Sequence, residues 1–193
     1  MIQDKKGADE HFLTNGKPNQ NLSNAAYQKA QEGMKKKIEE FSQMGIACFS
    51  ENMDNILMWS HYGDGHRGFC LEFDTSFEPF RNIEKIHQVI YSNIYPFASP
   101  TDVVFLPFMP LTPLITKSLQ WQYEMEWRMI NFNGNTSLNY DPKALSGIYF
   151  GCDMPIEYRK RIINALKDSN PALYEMKTSE TTFKVEALEY KGR

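Results

Sequence analysis

The sequence predicts an α+β fold, in which a mainly antiparallel, twisted sheet is flanked by a few helices. Stretches with the two-residue alternation of half-buried strands, such as 69–73 and 123–132, outnumber stretches with helical periodicity. Strands and helices do not alternate regularly along the chain, which argues against a parallel sheet built from βαβ units. The strand-like runs at 172–177 and 182–190 are typical of a hairpin that closes the sheet.

The 193 residues fit one domain preceded by an arm. Residues 1–22 are polar and hold few apolar side chains that could order them. We therefore expect a flexible N-terminal arm at 1–22 and a single α+β domain over 23–193. A first helix is predicted from a cap at Ser23 or Asn24 to a stop at Gly45, because apolar side chains recur there at helical spacing.

Short elements are predicted for the middle of the chain. The apolar run 45–50 favours a strand, and Asp54 is placed to cap a helix that ends at Tyr62. The alternation in 69–73 predicts one further strand, and the segment EKIHQVIYS at 84–92 is predicted to be another. The glycines of the GDGHRG segment, which precedes the first of these strands, are typical of a hairpin turn.

Prolines and caps determine the prediction for the second half. Five prolines within 94–113 leave no long regular element in that stretch. A cap followed by an early proline, as in Asp153 and Pro155, is a common start of a helix. The predicted elements are a weak helix at 114–122, strands at 123–132 and 147–151, and a helix from Asp153 to Lys167.

The charge and composition of the chain limit the kinds of binding partner that the sequence indicates. The formal net charge of -3 gives no general attraction to a phosphate backbone, so a nucleic-acid partner is not indicated. No stretch approaches the roughly 20 apolar residues that cross a bilayer. The 3 cysteines form no C-x-x-C pair, which favours reduced, mostly buried thiols. We expect a cytoplasmic protein without a metal or a membrane partner, acting on a small-molecule or macromolecular target.

The three tryptophans fall in two short segments that also carry ionisable side chains. Trp59 lies in MWSHYGDGHRG, and Trp121 and Trp127 lie in WQYEMEW. Aromatic rings stack on flat ligands, and charged groups orient such ligands. We therefore expect these two segments to form one cleft. Its polar side chains would be His61, His66, Arg67, Glu124, Glu126 and Arg128.

A structural role explains the same residues differently. Trp59 can face the core from a short helix, and His61 can cap or pair with a neighbour. Glu124, Glu126 and Arg128 can form a solvated strand face with a weak ion pair. In that case no deep pocket would join the two tryptophan segments.

Three blocks of the sequence resemble a known family. They are CFSENMDNILMWSHYGDGHRGFCLEFD at 48–74, WQYEMEWRMI at 121–130 and ALSGIYFGCDMP at 144–155. Their order and spacing, over roughly residues 46–190, are similar to those of the bacterial family catalogued as domain of unknown function 2971. The family name carries no activity, so the function has to be inferred from the chemistry of the residues.

The layout of these residues is similar to that of ADP-ribosyltransferases, for which NAD is the co-substrate. Glu124-x-Glu126 lies on a predicted strand, and an upstream strand ends at Ser50. The similarity implies that Glu126 is the catalytic carboxylate and Glu124 its partner, because a carboxylate balances the charge that develops as the ribosyl bond breaks. Tyr62 would stack on nicotinamide, and His61 would position the ligand. The implied ligand-binding residues are Ser50, Trp59, His61, Tyr62, Arg67 and Arg128.

Such an enzyme would be a toxin or a phage-defence effector. The alternative is a non-catalytic module that binds a nucleotide or a peptide in the same aromatic cleft. An enzyme predicts that Glu126 points into a concave pocket beside His61. A binding module predicts a pocket without a well-placed carboxylate.

Other chemistries fit the sequence less well. A metal site made of His61, His66, Cys48 and Cys70 would lack the i, i+4 histidine spacing of one helix face. Cys70 and His66 form a nucleophile pair only if the strand turns back on the preceding loop. In glycoside hydrolysis two carboxylates flank the sugar, which neighbouring positions on one strand cannot easily do. The glycines of GDGHRG can cradle an anion beside Arg67, but no helix follows them.

Overall fold

The computed structural model describes residues 13–14, 17–18, 28, 31–33, 35–36, 39–40, 42–82, 84–94, 96, 111–134, 136–166 and 170–192. Helical conformation occurs at the described positions between 28 and 42, and three α-helices follow. These are α1 (Ile56–Tyr62), α2 (Thr112–Ile115) and α3 (Ile156–Ala165). Two 3-10 turns lie at Leu119–Glu124 and Pro142–Ala144.

The described strands are short, and most of them are antiparallel to their neighbours. They are β1 (Leu13–Thr14), β2 (Lys17–Pro18), β3 (Gly45–Ser50), β4 (Phe69–Phe73), β5 (Ile86–Gln88), β6 (Ile90–Ser92), β7 (Thr116–Ser118), β8 (Glu126–Asn131), β9 (Leu145–Phe150), β10 (Ala172–Thr178) and β11 (Val185–Glu189).

Two sheets build the body of the protein. The first is antiparallel, with the strand order β3-β8-β5. The second has the order β11-β10-β9-β4, and β9 and β10 are its parallel pair, joined through α3. Two further strand pairs lie outside these sheets. The pair β1-β2 is antiparallel, and the pair β6-β7 is parallel. The predicted α+β class with mainly antiparallel strands is confirmed, and so is the closing hairpin, which is β10-β11.

Aromatic side chains hold the two sheets together. Phe49 of β3 meets Phe80 edge to face, with ring centroids 5.5 Å apart. Phe80 in turn lies 4.7 Å from the ring of Phe73 on β4. Met129 of β8 packs into the same cluster and is 3% exposed. Because aromatic side chains bury large areas, this cluster fixes the first sheet against the second.

Trp59 anchors α1 to the second sheet. Its side chain is buried against Tyr149, Met176 and Val185, and its indole Nε1 donates a hydrogen bond to the Met53 carbonyl at 2.7 Å. Trp59 therefore has the core role that the sequence analysis considered for it. Tyr62 lies three residues after Trp59 on α1, so this packing also fixes the position from which Tyr62 reaches Glu124.

Several of the predicted elements need correction. The strand predicted at 123–132 begins only at Glu126, because Glu124 ends a 3-10 turn and Met125 has a left-handed φ of 46°. The strand predicted at 84–92 is divided at Val89 into β5 and β6, which pair with different partners. The weak helix predicted at 114–122 is α2, β7 and a 3-10 turn in succession.

Two further corrections concern α1 and the loop after it. Asn55, one residue after the predicted cap Asp54, caps α1 through its side chain, which accepts from the Leu57 N–H. The GDGHRG segment joins α1 to β4 and is therefore not a hairpin turn. Its backbone crosses the end of β9, where Gly151 N donates to the Gly68 carbonyl at 2.9 Å.

Some predictions fall wholly or partly outside the described residues. Of the arm predicted at 1–22, only β1 and β2 are described, and the cap at Ser23 or Asn24 is not. The predicted end of the last helix, Lys167, also lies outside; α3 is described from Ile156 to Ala165. In the described part of the chain, no helix has the length and apolar character needed to cross a membrane.

Gly151 supplies a test of how closely the loop after α1 approaches β9. A Cβ at this position would lie 2.1 Å from the His66 carbonyl oxygen, so Gly151→Ala is expected to destabilise the protein by about 2 kcal/mol. Urea unfolding measures the change. Gly33→Ala is the matched control: it lies in helical backbone with nothing within 4 Å of the added Cβ, and is expected to raise stability by up to about 1 kcal/mol. Equal effects of the two substitutions would contradict the close approach.

Candidate functional site

Two glutamates lie buried where the 3-10 turn meets β8. Glu124 is 2% exposed and Glu126 is 5% exposed. The Lys117 ammonium group of β7 contacts both carboxylates, at 3.0 Å from Glu126 Oε2 and in closer contact with Glu124 Oε2. Since buried carboxylates are costly without a partner, Lys117 is central to this arrangement.

Arg128 provides the second positive charge. Its Nε lies 2.8 Å from Glu126 Oε1 and its Nη2 lies 3.2 Å from Glu126 Oε2, which is the bidentate geometry of a strong guanidinium–carboxylate pair. We call Lys117, Glu124, Glu126 and Arg128 the carboxylate cluster. With two charges of each sign, the cluster is formally neutral, which compensates for its burial.

Hydroxyl groups complete the surroundings of the two glutamates. The Tyr62 hydroxyl of α1 donates to Glu124 Oε1 at 2.8 Å. The Tyr91 hydroxyl of β6 accepts from the Glu126 backbone N–H at 2.8 Å. Ser50 lies directly opposite Glu126 in the β3-β8 pair, and its Oγ donates to the Glu124 carbonyl at 2.7 Å. Five separate elements therefore converge on the two glutamates.

The pKa shifts in this site follow from burial and hydrogen bonding. Burial alone would raise the pKa of Glu126, but hydrogen bonds from Arg128, Cys48 and Lys117 outweigh it and lower that pKa to about 2. Burial, together with the Glu126 carboxylate, raises the pKa of the Cys48 thiol to about 11. Burial and the hydrogen bond to Glu124 likewise raise the pKa of Tyr62. At neutral pH Glu126 is thus an anion beside a protonated thiol and a protonated phenol.

An aromatic row leads from the carboxylate cluster to the surface. The rings of Tyr62 and His61 are 6.4 Å apart, those of His61 and Trp121 are 5.9 Å apart, and those of Trp121 and Tyr123 are 6.0 Å apart. Tyr62 is 63% exposed, so its ring is accessible although its hydroxyl contacts a buried carboxylate. Lys117 Nζ lies 5.1 Å from the Trp121 ring centroid, within cation–π distance.

The two tryptophan segments thus fold against each other, as the cleft hypothesis requires. They bring together six of the predicted site residues: Ser50, His61, Tyr62, Glu124, Glu126 and Arg128. The predicted solvated strand face is not what the structure contains, because both glutamates are buried. Trp59 lies in the core, and Arg67 pairs with Asp64 inside its own loop at 3.1 Å.

Sequence reasoning missed Lys117, Tyr91 and Cys48. A signal for Lys117 was present, since it is the one charged residue between Asp102 and Glu124. A lysine in such an apolar stretch is expected to seek an acidic partner. Tyr91 and Cys48 carry no comparable signal, because tyrosine and cysteine are frequent in ordinary strands. The thiols are also less buried than predicted, with Cys48 exposed and Cys70 and Cys152 at intermediate exposure.

The described residues do not support the alternative metal site or the alternative nucleophile pair. Among these residues there is no group of three or more His, Cys, Asp or Glu side chains suited to holding a metal ion. His66, which would be the base of the Cys70 nucleophile pair, has its Nε2 3.1 Å from Ser60 Oγ. Burial raises the pKa of Cys70, which is the opposite of what an activated nucleophile needs.

Lys117→Met tests the electrostatic balance of the carboxylate cluster. The substitution keeps an apolar stem but leaves two buried carboxylates with one cation, so we expect a loss of about 3 kcal/mol in the free energy of unfolding, measured with urea. Lys184→Met is the matched control, because Lys184 pairs with Asp54 while being 59% exposed, and should cost less than about 1 kcal/mol. Comparable losses for the two variants would contradict the account.

The pH dependence of stability tests the ionisation of Glu126. Its folded pKa of about 2 lies below the reference value of 4.5, so its contribution is complete above pH 4.5 and is lost as the pH falls through about 2. Glu126→Gln should remove about 3 kcal/mol of that dependence. Chemical unfolding of both proteins across this pH range measures the difference, and parallel stability curves would refute the assignment.

Comparison with known proteins supports one family. The model described as "Protein of unknown function (DUF2971)" matches residues 58–129, a shorter range than the expected 46–190 but one that includes the whole carboxylate cluster. No curated protein and no solved structure gives a significant match to the chain. Residues 58–129 of the chain are therefore similar to the family of domain of unknown function 2971.

Proposed function

We propose that this protein is an NAD-dependent enzyme of the ADP-ribosyltransferase type, with Glu126 as its catalytic carboxylate. The observation that carries the proposal is the placement of Glu126 at the start of β8, ionised, held by Arg128 and directly opposite Ser50. An anion fixed in a site of low polarity stabilises positive charge far better than one in water. The exposed ring of Tyr62 supplies a stacking surface for a flat cation such as nicotinamide.

The residues act on the ribosyl carbon as follows. Glu126 holds a ribose hydroxyl and balances the positive charge that develops at the anomeric carbon as the bond to nicotinamide breaks, with the bonding pair leaving on the nicotinamide nitrogen. A nucleophile of the acceptor forms the new bond to that carbon and releases its proton. Arg128 keeps Glu126 ionised and oriented, and Tyr62 fixes Glu124 beside it.

Lys117 has to move for this chemistry to proceed. Its ammonium group contacts both carboxylates, where the positive charge of the transition state would develop. Substrate binding would draw Lys117 away from Glu126, and the contact that its ammonium group already makes with the Trp121 ring would partly compensate for the lost ion pair. Binding energy from the aromatic row would offset the cost of breaking the ion pair.

A second candidate is a non-catalytic module that binds a nucleotide or a peptide along the same aromatic row. It is favoured by the closed state of the carboxylate cluster, in which Lys117 and Arg128 already balance Glu124 and Glu126. For such a module, His61, Tyr62 and Trp121 would provide the contacts and the glutamates would only support them. Affinity would then be insensitive to Glu126→Gln.

The proposal extends to location and biological role. Three free cysteines are usual in the reducing cytoplasm, where NAD is also abundant, so we place the protein there. An enzyme that attaches ADP-ribose to a cellular target would serve as a toxin or a phage-defence effector. The target is a small molecule or a macromolecule that presents a nucleophile to the aromatic row.

Nicotinamide release from NAD in the presence of cell extract tests the proposed function. The wild-type protein is expected to release nicotinamide and to label an acceptor, and Glu126→Gln is expected to lower the rate by about 100-fold or more. Glu186→Gln, an exposed glutamate on β11, is the matched control and should act like the wild type. Thermal melting confirms that each variant is folded.

Two results would overturn the enzymatic proposal. One is an absence of nicotinamide release and of labelled product from the wild-type protein. The other is a Glu126→Gln rate equal to that of Glu186→Gln. Saturable NAD binding without turnover, unchanged by Glu126→Gln, would establish the binding module in its place.

A further inference from the structure

We propose that the cavity between the two sheets is a binding site for a small aromatic molecule with one positive charge. The cavity has a volume of about 890 Å³, within the range of about 300–1,000 Å³ that is usual for small-molecule sites. It lies between β3 and β8 of the first sheet and β4 of the second. None of the four residues of the carboxylate cluster lines this cavity, although Ser50 and Cys48 of β3, which contact the cluster, do. The inference does not use the proposed function.

The strand register places the aromatic rings of the cavity and the carboxylate cluster on opposite sides of the first sheet. Phe49 and Trp127 are opposite each other in the β3-β8 pair, and Phe49 packs with Phe80 on the side that faces the second sheet. Side chains alternate along a strand, so Glu126 and Arg128 lie on the other side of the same two strands. A ligand between the sheets would therefore meet Trp127 and Phe49 while the carboxylate cluster stays closed.

Aromatic rings make up much of the cavity wall. Phe49, Phe73, Phe80, Trp127 and Tyr149 all line it. Tyr149 is held in place by a stacked contact with Tyr174, at 4.7 Å between ring centroids and 12° between planes. Rings fixed in this way offer flat surfaces that favour a flat, apolar ligand.

Two carboxylates give the cavity its charge preference. Glu51 accepts from Trp127 Nε1 at 2.5 Å, and Glu72 accepts from Ser146 Oγ at 3.1 Å. Gly147 leaves room for the Glu72 carboxylate, since a Cβ there would lie 2.5 Å from its Oε2. The hydrogen bonds from Trp127 and Ser146 thus hold the Glu51 and Glu72 carboxylates in place, and neither of these donors is a cation.

The cationic residue of the lining is already paired. Arg81 Nη2 lies 3.1 Å from Glu78 Oε1, so its charge is offset locally. The lining therefore carries an excess of negative charge at Glu51 and Glu72. A cation in the cavity would be attracted both by these carboxylates and by the aromatic rings of the lining. The ligand class that fits is an aromatic amine or another aromatic cation.

A charge series of fluorinated ligands tests the site. The probes are para-fluorophenethylamine, the neutral alcohol of the same shape, and the corresponding carboxylate, each titrated into the wild-type protein by ligand-detected fluorine NMR. The amine is expected to bind saturably and about tenfold more tightly than the alcohol, and the carboxylate more weakly still. This comparison uses only the wild-type chain and does not depend on how variants fold.

Variants then locate the binding. Replacing both Glu51 and Glu72 by Gln should weaken amine binding by about tenfold while leaving the alcohol unchanged, and Glu186→Gln should change neither. Equal affinities across the charge series, no saturable amine binding, or amine binding that the double variant leaves unchanged would each overturn the proposal. Nicotinamide release from NAD, measured on the same double variant, should remain at the wild-type rate and so separates this test from that of the proposed function.

Discussion

The burial of two carboxylates in one short stretch is the constraint on which the rest of the structure depends. Glu124 and Glu126 are almost fully inaccessible, so cations and hydroxyl groups must be brought to them. Lys117 comes from β7, Arg128 from β8 and Tyr62 from α1. Satisfying these two side chains therefore draws together elements that the hydrophobic core alone leaves apart.

The same arrangement connects stability with the function proposed for the site. A neutral, closed cluster holds Glu126 ionised in a fixed position, which is what stabilisation of a positively charged transition state requires. It also places Lys117 where that charge would develop, so the resting site is stable because a lysine occupies it. Trp59, three residues before Tyr62 on α1, anchors this helix by packing into the second sheet, and Tyr62 contacts Glu124 from the anchored helix. The core thus positions the aromatic row without contributing to the chemistry.

Sequence patterns could predict the fold class and much of the site. Alternation at 69–73, the hairpin near the C-terminus and the closeness of the two tryptophan segments follow from local periodicity and residue type. The 3-10 turn before Glu126 was not predictable, because WQYEMEW alternates as a strand does and only the left-handed Met125 interrupts it. The burial of both glutamates depends on Lys117 of β7, a long-range contact that no local pattern encodes.

A double-mutant cycle between Lys117 and Glu126 tests the central claim most directly. The free energy of unfolding is measured with urea at neutral pH for the wild type, Lys117→Met, Glu126→Gln and the variant carrying both changes. If a buried ion pair organises the site, the double variant should be more stable than the sum of the single effects implies, with a coupling energy of about 1–3 kcal/mol. Additive losses would mean that the two side chains do not act on each other, and the account would fail.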